Sequence, residues 1–362
     1  MKTKLFFTVV LVLVLTTWLV WAVKAQGPEP PGPRGVPPLP EGPPLVVDGG
    51  TTNVVKYDNI QKFASDVSPL WKQVNINGFG DSNNQVSVLA SLGSQLYAGT
   101  YKFADHGAQI WRTADGLDWT PVMTNGFGVY YNVGIDHLVE FNGQLYAGVW
   151  NSTPNPPYTD TGGEIWRSSD GTTWESVMQG GFGDRYNGEV IRLGVFNNQI
   201  YAATWSYTST HGAEIWRSST GDSGSWSRVV SNGLGDPTNL AGLTMEEFNG
   251  AFYVGTYNWD ESTNQSNGGE VWRTTDGLTW STVITGGFGD VDNYAVSALE
   301  VFSNSLYAAL PNYNPSTGPH GGEIWRCSAT SNCDEATDWE RVVDGGFGDI
   351  NNSIRGLITF EN

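Results

Sequence analysis

Apolar and polar positions alternate along this chain in short bursts that return at a nearly fixed interval. Each unit carries four apolar segments, four to seven residues long. Val296 to Phe302 typifies the first, Leu145 to Val149 the second, Glu164 to Arg167 the third and Trp174 to Met178 the fourth. They are rich in β-branched and aromatic residues and carry no i, i+3, i+4 stripe, so the pattern predicts strands. Turn signals fall between them. Phe141-Asn-Gly-Gln144 joins first to second through the Asn-Gly pair of a two-residue hairpin. Ser168-Ser-Asp-Gly-Thr-Thr-Trp174 joins third to fourth through an Asp-Gly turn.

The unit repeats. Trp71, Trp119, Trp174, Trp226, Trp280 and Trp339 each precede a G-F-G-D motif or its variant, at spacings of 48, 55, 52, 54 and 59 residues. Four antiparallel strands on a period near 50 predict an all-β fold, a β-propeller of four-stranded blades. Second strands begin at Leu96, Leu145, Ile200, Phe252 and Leu306, and third strands at Gln109, Glu164, Glu214, Glu270 and Glu323. There are six first and six fourth strands, the last first strand being Ile354 to Phe360. Five blades are expected, with both chain ends closing the terminal blade. Six remain possible if residues 45–70 supply strands.

Thr113-Ala-Asp-Gly-Leu-Asp-Trp119, Ser168-Ser-Asp-Gly-Thr-Thr-Trp174 and Thr274-Thr-Asp-Gly-Leu-Thr-Trp280 resemble the Asp-box (BNR) turn of sialidase-like propellers. The family's box joins the third and fourth strands of a blade. These copies are one residue shorter than its S-x-D-x-G-x-T-W pattern. Thr220-Gly-Asp-Ser-Gly-Ser-Trp226 keeps Asp-x-Gly, and the stretch from Cys327 to Trp339 has lost the pattern to an insertion. The repeat layout also resembles the five-bladed tachylectin lectins. The resemblance implies a propeller and says little about activity, because Asp boxes lie away from sialidase active sites.

Outside the repeats, residues 1–25 read as a signal peptide or N-terminal membrane anchor. Lys2 and Lys4 precede an uncharged run from Leu5 to Val23, and Lys24-Ala25 follow it. Residues 26–70 read as a Pro-rich linker or stalk, and 71–362 as the propeller. The net charge of −19 argues against nucleic acid or anionic lipid as a partner. Membrane attachment is expected only through the N-terminal segment, if it is retained. Cys327 and Cys333 are the two cysteines, close together in an exported chain, and a disulfide is expected between them.

Candidate chemistry sits on the connections. An aromatic follows the second strand in four units, Tyr101, Trp150, Trp205 and Tyr257, and the loops beyond add Tyr158, Tyr207, Trp259 and Tyr313. Aromatics among amides and hydroxyls suit stacking on a sugar ring, with packing between blades as the structural alternative. The motif asparagines Asn84, Asn132, Asn187, Asn239, Asn293 and Asn352 recur in all six copies. The aspartates Asp81, Asp184, Asp236, Asp290 and Asp349 recur in five, as weak Ca²⁺ candidates or as turn-formers. His106, His137, His211 and His320 show no ligand spacing, and no cofactor beyond possible Ca²⁺ is expected. Each third-strand Arg is expected to meet a Glu of the neighbouring blade. The unrepeated arginines are Arg185, Arg192, Arg228, Arg341 and Arg355. By the family resemblance a sialidase would need an arginine triad and a Tyr–Glu pair, and spacing reveals no such pair. The expected function is an exported non-catalytic binding module for glycans. A sialidase-like glycoside hydrolase and a cell-surface scaffold for protein partners are the alternatives.

Overall fold

A computed structural model describes residues 73–75, 77–81, 84–102, 107–152 and 161–359. The expected leader and linker, with Trp71, His106 and Tyr158, lie outside the described residues. Five four-stranded antiparallel meanders follow one another as blades of a β-propeller, with short 3₁₀ turns and no α-helix among the described residues. The inner strands are Asn84–Leu92, Asn132–Phe141, Asn187–Phe196, Asn239–Phe248 and Ala298–Phe302. The second strands are Gln95–Lys102, Gln144–Asn151, Gln199–Ser206, Ala251–Asn258 and Ser305–Leu310. Third strands run Ile110–Thr113, Glu164–Ser168, Ile215–Ser218, Val271–Thr274 and Glu323–Ser328. The outer strands, Thr120–Met123, Glu175–Met178, Ser227–Val230, Ser281–Ile284 and Trp339–Val343, complete the blades.

Local chemistry forms these hairpins. Asn142 and Gly143 take φ of 52° and 73°, the left-handed pair that a two-residue turn between twisted strands requires. In the third-to-outer turns, Oδ1 of Asp115 accepts the backbone N–H groups of Leu117 and Asp118, at 2.8 and 2.9 Å. Asp170 and Asp276 do the same in their own turns. The Asp therefore supplies acceptors for donors that a tight turn leaves unpaired.

The core lies between blades. Tyr97 and Ile110 of blade 1 pack with Ile135, Leu138 and Leu145 of blade 2. Phe141, Tyr146 and Ile165 meet Val190, Leu193 and Ile200 across the next seam, and the pattern continues to blade 5. In four blades the phenylalanine of the preceding connection locks the blade's two tryptophans, and Leu234 takes its place before the fourth. Phe182 holds φ at 61°, a conformation that costs a non-glycine residue ~1–2 kcal/mol. In return its ring stacks on Trp216 at 4.4 Å and meets Trp226 edge-on at 5.8 Å. Phe79, Phe127 and Phe288 repeat the wedge.

Two expectations are revised. The third-strand Glu does not meet an Arg from the next blade. Glu164 accepts from Asn132 Nδ2 and Trp166 Nε1 of its own blade, at 2.8 and 2.7 Å. Arg167 instead reaches Asp222 in the turn of the next blade, at 2.6 Å, and Glu175 in its own. Positions three apart on a strand point to opposite faces, and the two faces meet different neighbours. The expected last first strand forms no regular ladder, but it sits where a next inner strand would. Ser297 Oγ donates to Ile354 O at 2.8 Å, Thr359 Oγ1 donates to Val301 O, and Ile354 packs with Ala298, Ala309 and Ile324. Cys327 and Cys333 are disulfide-bonded, with Cα atoms 5.9 Å apart.

Candidate functional site

In the first four blades the end of the second strand does more than carry an aromatic. Tyr101 pairs with Gln85 in its own blade and with Gly134 in the next. Gly134 pairs in turn with Trp150, and Trp150 with Glu189. Glu189 pairs with Trp205, Trp205 with Ala241, Ala241 with Tyr257 and Tyr257 with Ala295. Residues directly opposite on paired strands project to one side, so these pairings make one continuous row from blade to blade. Large rings alternate along it with Gly134, Ala241 and Ala295.

The small residues are there because the rings need the space. A side chain on Gly134 would meet Tyr101 Cδ1 at 2.4 Å. Tyr101 and Trp150 sit edge to face at 6.0 Å, and Trp205 and Tyr257 lie 4.9 Å apart. Tyr207 rests on Gly188, accepts a hydrogen bond from Trp150 Nε1 and donates to Asn151 O.

Glu189 breaks the alternation. It stands where the other blades have glycine, alanine or Gln85, and the tryptophans Trp150 and Trp205 flank it. It is 4% exposed, and burial followed by repulsion from Asp136 holds its carboxyl well above the usual range. Asp136 sits at a bulge of its inner strand, where register shifts between Ile135 and His137. The bulge recurs in three other blades with Ser87, Ile191 and Leu243, so the carboxylate is again unrepeated. Tyr101 donates to Asp136 Oδ1 at 2.6 Å, while Oδ2 is buried without a partner. Burial raises Asp136 to about 7 against the opposing effect of that hydrogen bond. Neither carboxylate is a repeated acid or an unrepeated arginine, so the repeat pattern does not single them out. The legible signal was an acid at a position that is uncharged in its sister copies.

A second group of charges lies further along the same inner strands. His137 and Arg192 are next to their blades' bulges, and Arg192 lies near Glu246 and Glu300. Burial lowers His137 strongly, with Arg192 adding to the effect. Glu246 is pushed up to about 7 by burial and by Glu300, against the pull of Arg192.

The expected site residues divide. Tyr101, Trp150, Trp205, Tyr207 and Tyr313 are partly buried. Tyr257 and Trp259 are buried, at 4% and 1% exposure, and Trp259 packs edge-on against Tyr294 at 6.2 Å. Trp259 was expected in mid-loop, but apolar burial against Leu240 and Ala295 draws it inward. Each motif Asn holds its own connection. Asn187 Nδ2 donates to Gly181 O and Glu214 Oε2, and Asn132, Asn239 and Asn293 repeat this.

The Ca²⁺ candidates stay apart, one to a connection. Asp81 pairs with Lys102, while Asp184, Asp236, Asp290 and Asp349 accept backbone N–H groups of their own turns. No group of three or more metal-ligating side chains converges among the described residues. His211 stacks on Tyr186, and His320 approaches Asp292 at 3.6 Å. Arg228 and Arg341 are engaged with Glu214 and Glu323 of their own blades. No helix among the described residues is long and apolar enough to cross a membrane.

No protein-family model and no curated protein matches the chain. Among solved structures, it is similar to an exo-β-1,3-galactanase from Phanerochaete chrysosporium at 11% identity and a TM-score of 0.43. That match covers 73% of this chain and 65% of the galactanase, so the chain spans less than two thirds of that protein's length. An α-L-arabinofuranosidase from Clostridium thermocellum matches at 14% identity and a TM-score of 0.41, over 73% of this chain and 94% of that one. A GH74 xyloglucanase from Xanthomonas campestris matches at 17% identity and a TM-score of 0.43, over 71% and 38%.

Proposed function

We propose that this chain is an exported glycan-binding propeller whose ligand lies on the aromatic row. The observation that carries this reading is the row itself. Trp150 and Trp205 flank the buried side chain of Glu189. Flat apolar faces beside a carboxyl suit a sugar ring, which offers C–H faces for stacking and hydroxyls for hydrogen bonds. The expected leader, the Pro-rich spacer and the Cys327–Cys333 disulfide favour an extracytoplasmic setting. The negative net charge disfavours nucleic acid. The Asp-accepting turns favour kinship with Asp-box propellers. Their sialidase chemistry finds less support, since Arg228 and Arg341 are already engaged within their blades.

The test is a glycan-array screen followed by titration of the best oligosaccharide against Trp150→Ala and Trp205→Ala. Stacking predicts a loss of ~1–2 kcal/mol in binding for each. Unchanged affinity per folded molecule, with a large drop in melting temperature, would assign the rings to blade packing alone.

A further inference from the structure

The glycan reading leaves the two unrepeated carboxyl groups unexplained, because binding a neutral sugar does not require a pair of buried acids. Glu189 is an acid held between two tryptophans and only 4% exposed. Asp136 lies close enough to raise the proton affinity of Glu189 further, yet its own surroundings differ, because Tyr101 donates to one oxygen. Its second oxygen is buried without a partner. Neither carboxyl forms a salt bridge with a Lys, Arg or His among the described residues. The one carboxyl within the described row and the one at the neighbouring bulge therefore come together between blades 2 and 3.

We infer that Asp136 and Glu189 are the acid and base of a glycoside hydrolase centre on the aromatic row. This inference rests on the glycan reading above. Glu189, against its tryptophans, holds a proton and gives it to the glycosidic oxygen as the bond from that oxygen to the anomeric carbon breaks. A water molecule adds to the anomeric carbon, and Asp136 takes the proton that this water loses. One glycosidic bond and one water are consumed, two hydroxyl-bearing sugars form, and no further reactant is needed. One carboxyl set between indole rings and one held by a phenol have the unlike surroundings that an acid and a base of this reaction need. Tyr101 is a positioning residue here, fixing the Asp136 carboxyl from the neighbouring blade.

The experiment uses the full chain with Glu189→Gln and Asp136→Asn. Substrates are 4-nitrophenyl glycosides of galactose, glucose, xylose, arabinose and N-acetylneuraminic acid, together with unactivated oligosaccharides of the same sugars. Binding of those oligosaccharides is measured by calorimetry on the same samples. The wild-type chain should turn over at least one sugar type. Glu189→Gln should lower kcat/KM on the unactivated oligosaccharide ~100-fold or more, and by less than ~10-fold on the aryl glycoside, whose leaving group needs little protonation. Asp136→Asn should lower both, with oligosaccharide affinity nearly unchanged in the two variants. A purely structural role for Glu189 would not separate the two substrates.

Oligosaccharide binding without turnover would overturn the inference and leave the binding reading standing. Turnover that survives both substitutions would also overturn it. Absence of any sugar binding would remove the reading beneath it. Should a variant fail to fold, carbodiimide modification of the wild-type chain decides. Loss of turnover with labelling at Asp136 or Glu189 supports the pair, and full turnover with both labelled overturns it.

Discussion

The phenol of Tyr101 donates a 2.6 Å hydrogen bond to Asp136, joining the second strand of blade 1 to the inner strand of blade 2. Tyr101 reaches its partner over Gly134, which has no side chain to obstruct the ring. Tyr101→Phe should therefore destabilise the fold by ~1–3 kcal/mol, the cost of leaving a buried acceptor unpaired. Gly134→Ala should act on the same contact by displacing the ring. Urea titration of both variants, with Tyr101→Phe/Asp136→Asn as the double, measures the coupling; additive effects would mean the bond contributes nothing.

Stability should fall as pH rises. Asp136 and Glu246 have folded-state proton affinities raised to about 7, above those of an unfolded carboxyl. Between roughly pH 4 and 7 the folded chain therefore binds more protons than the unfolded chain. Their contribution is fully present below the unfolded pKa and is lost as pH rises through about 7. Melting temperature should be lower at pH 8 than at pH 5. Asp136→Asn should reduce that dependence, and a melting temperature indifferent to pH over this range would reject the assignment.

The connection asparagines are structural. Asn187→Ala removes donors from Gly181 O and from Glu214, whose carboxylate is buried. A loss of ~1–3 kcal/mol in unfolding free energy is expected, with no change on adding or chelating Ca²⁺. A Ca²⁺-dependent melting temperature in the wild-type chain that Asn187→Ala abolishes would contradict this.

Phe182 trades backbone strain for aromatic contact. Phe182→Ala keeps the strained φ but loses the stack on Trp216 and the edge contact with Trp226. The expected cost is ~2–4 kcal/mol, since the contact and its apolar burial go together. Tryptophan fluorescence should shift to the red as the two indoles are exposed. A variant as stable as wild type would show that the connection holds without its wedge.

The Cys327–Cys333 bridge closes a short loop, and its reduction should cost ~2 kcal/mol. Intact-mass analysis of the natively produced chain, with and without reductant, checks that it forms.

The sequence alone determined the blade. Period, strand order, the Asn-Gly hairpin and the Asp turns are local properties, since each depends on residues only a few positions apart. The same locality made the asparagines and G-F-G-D connections visible as repeated fixtures before their hydrogen bonds were known. What only the tertiary structure decided is how one blade meets the next. Arg167 finds Asp222 and not a glutamate, and Trp259 turns inward, because separate blades place those groups together. The candidate site belongs to this second kind. Tyr101, Asp136 and Glu189 come from three successive blades, and no spacing within one repeat brings a phenol and two carboxyls together. Repetition in the sequence marks what holds each blade, while the two unrepeated acids become neighbours only where successive blades meet.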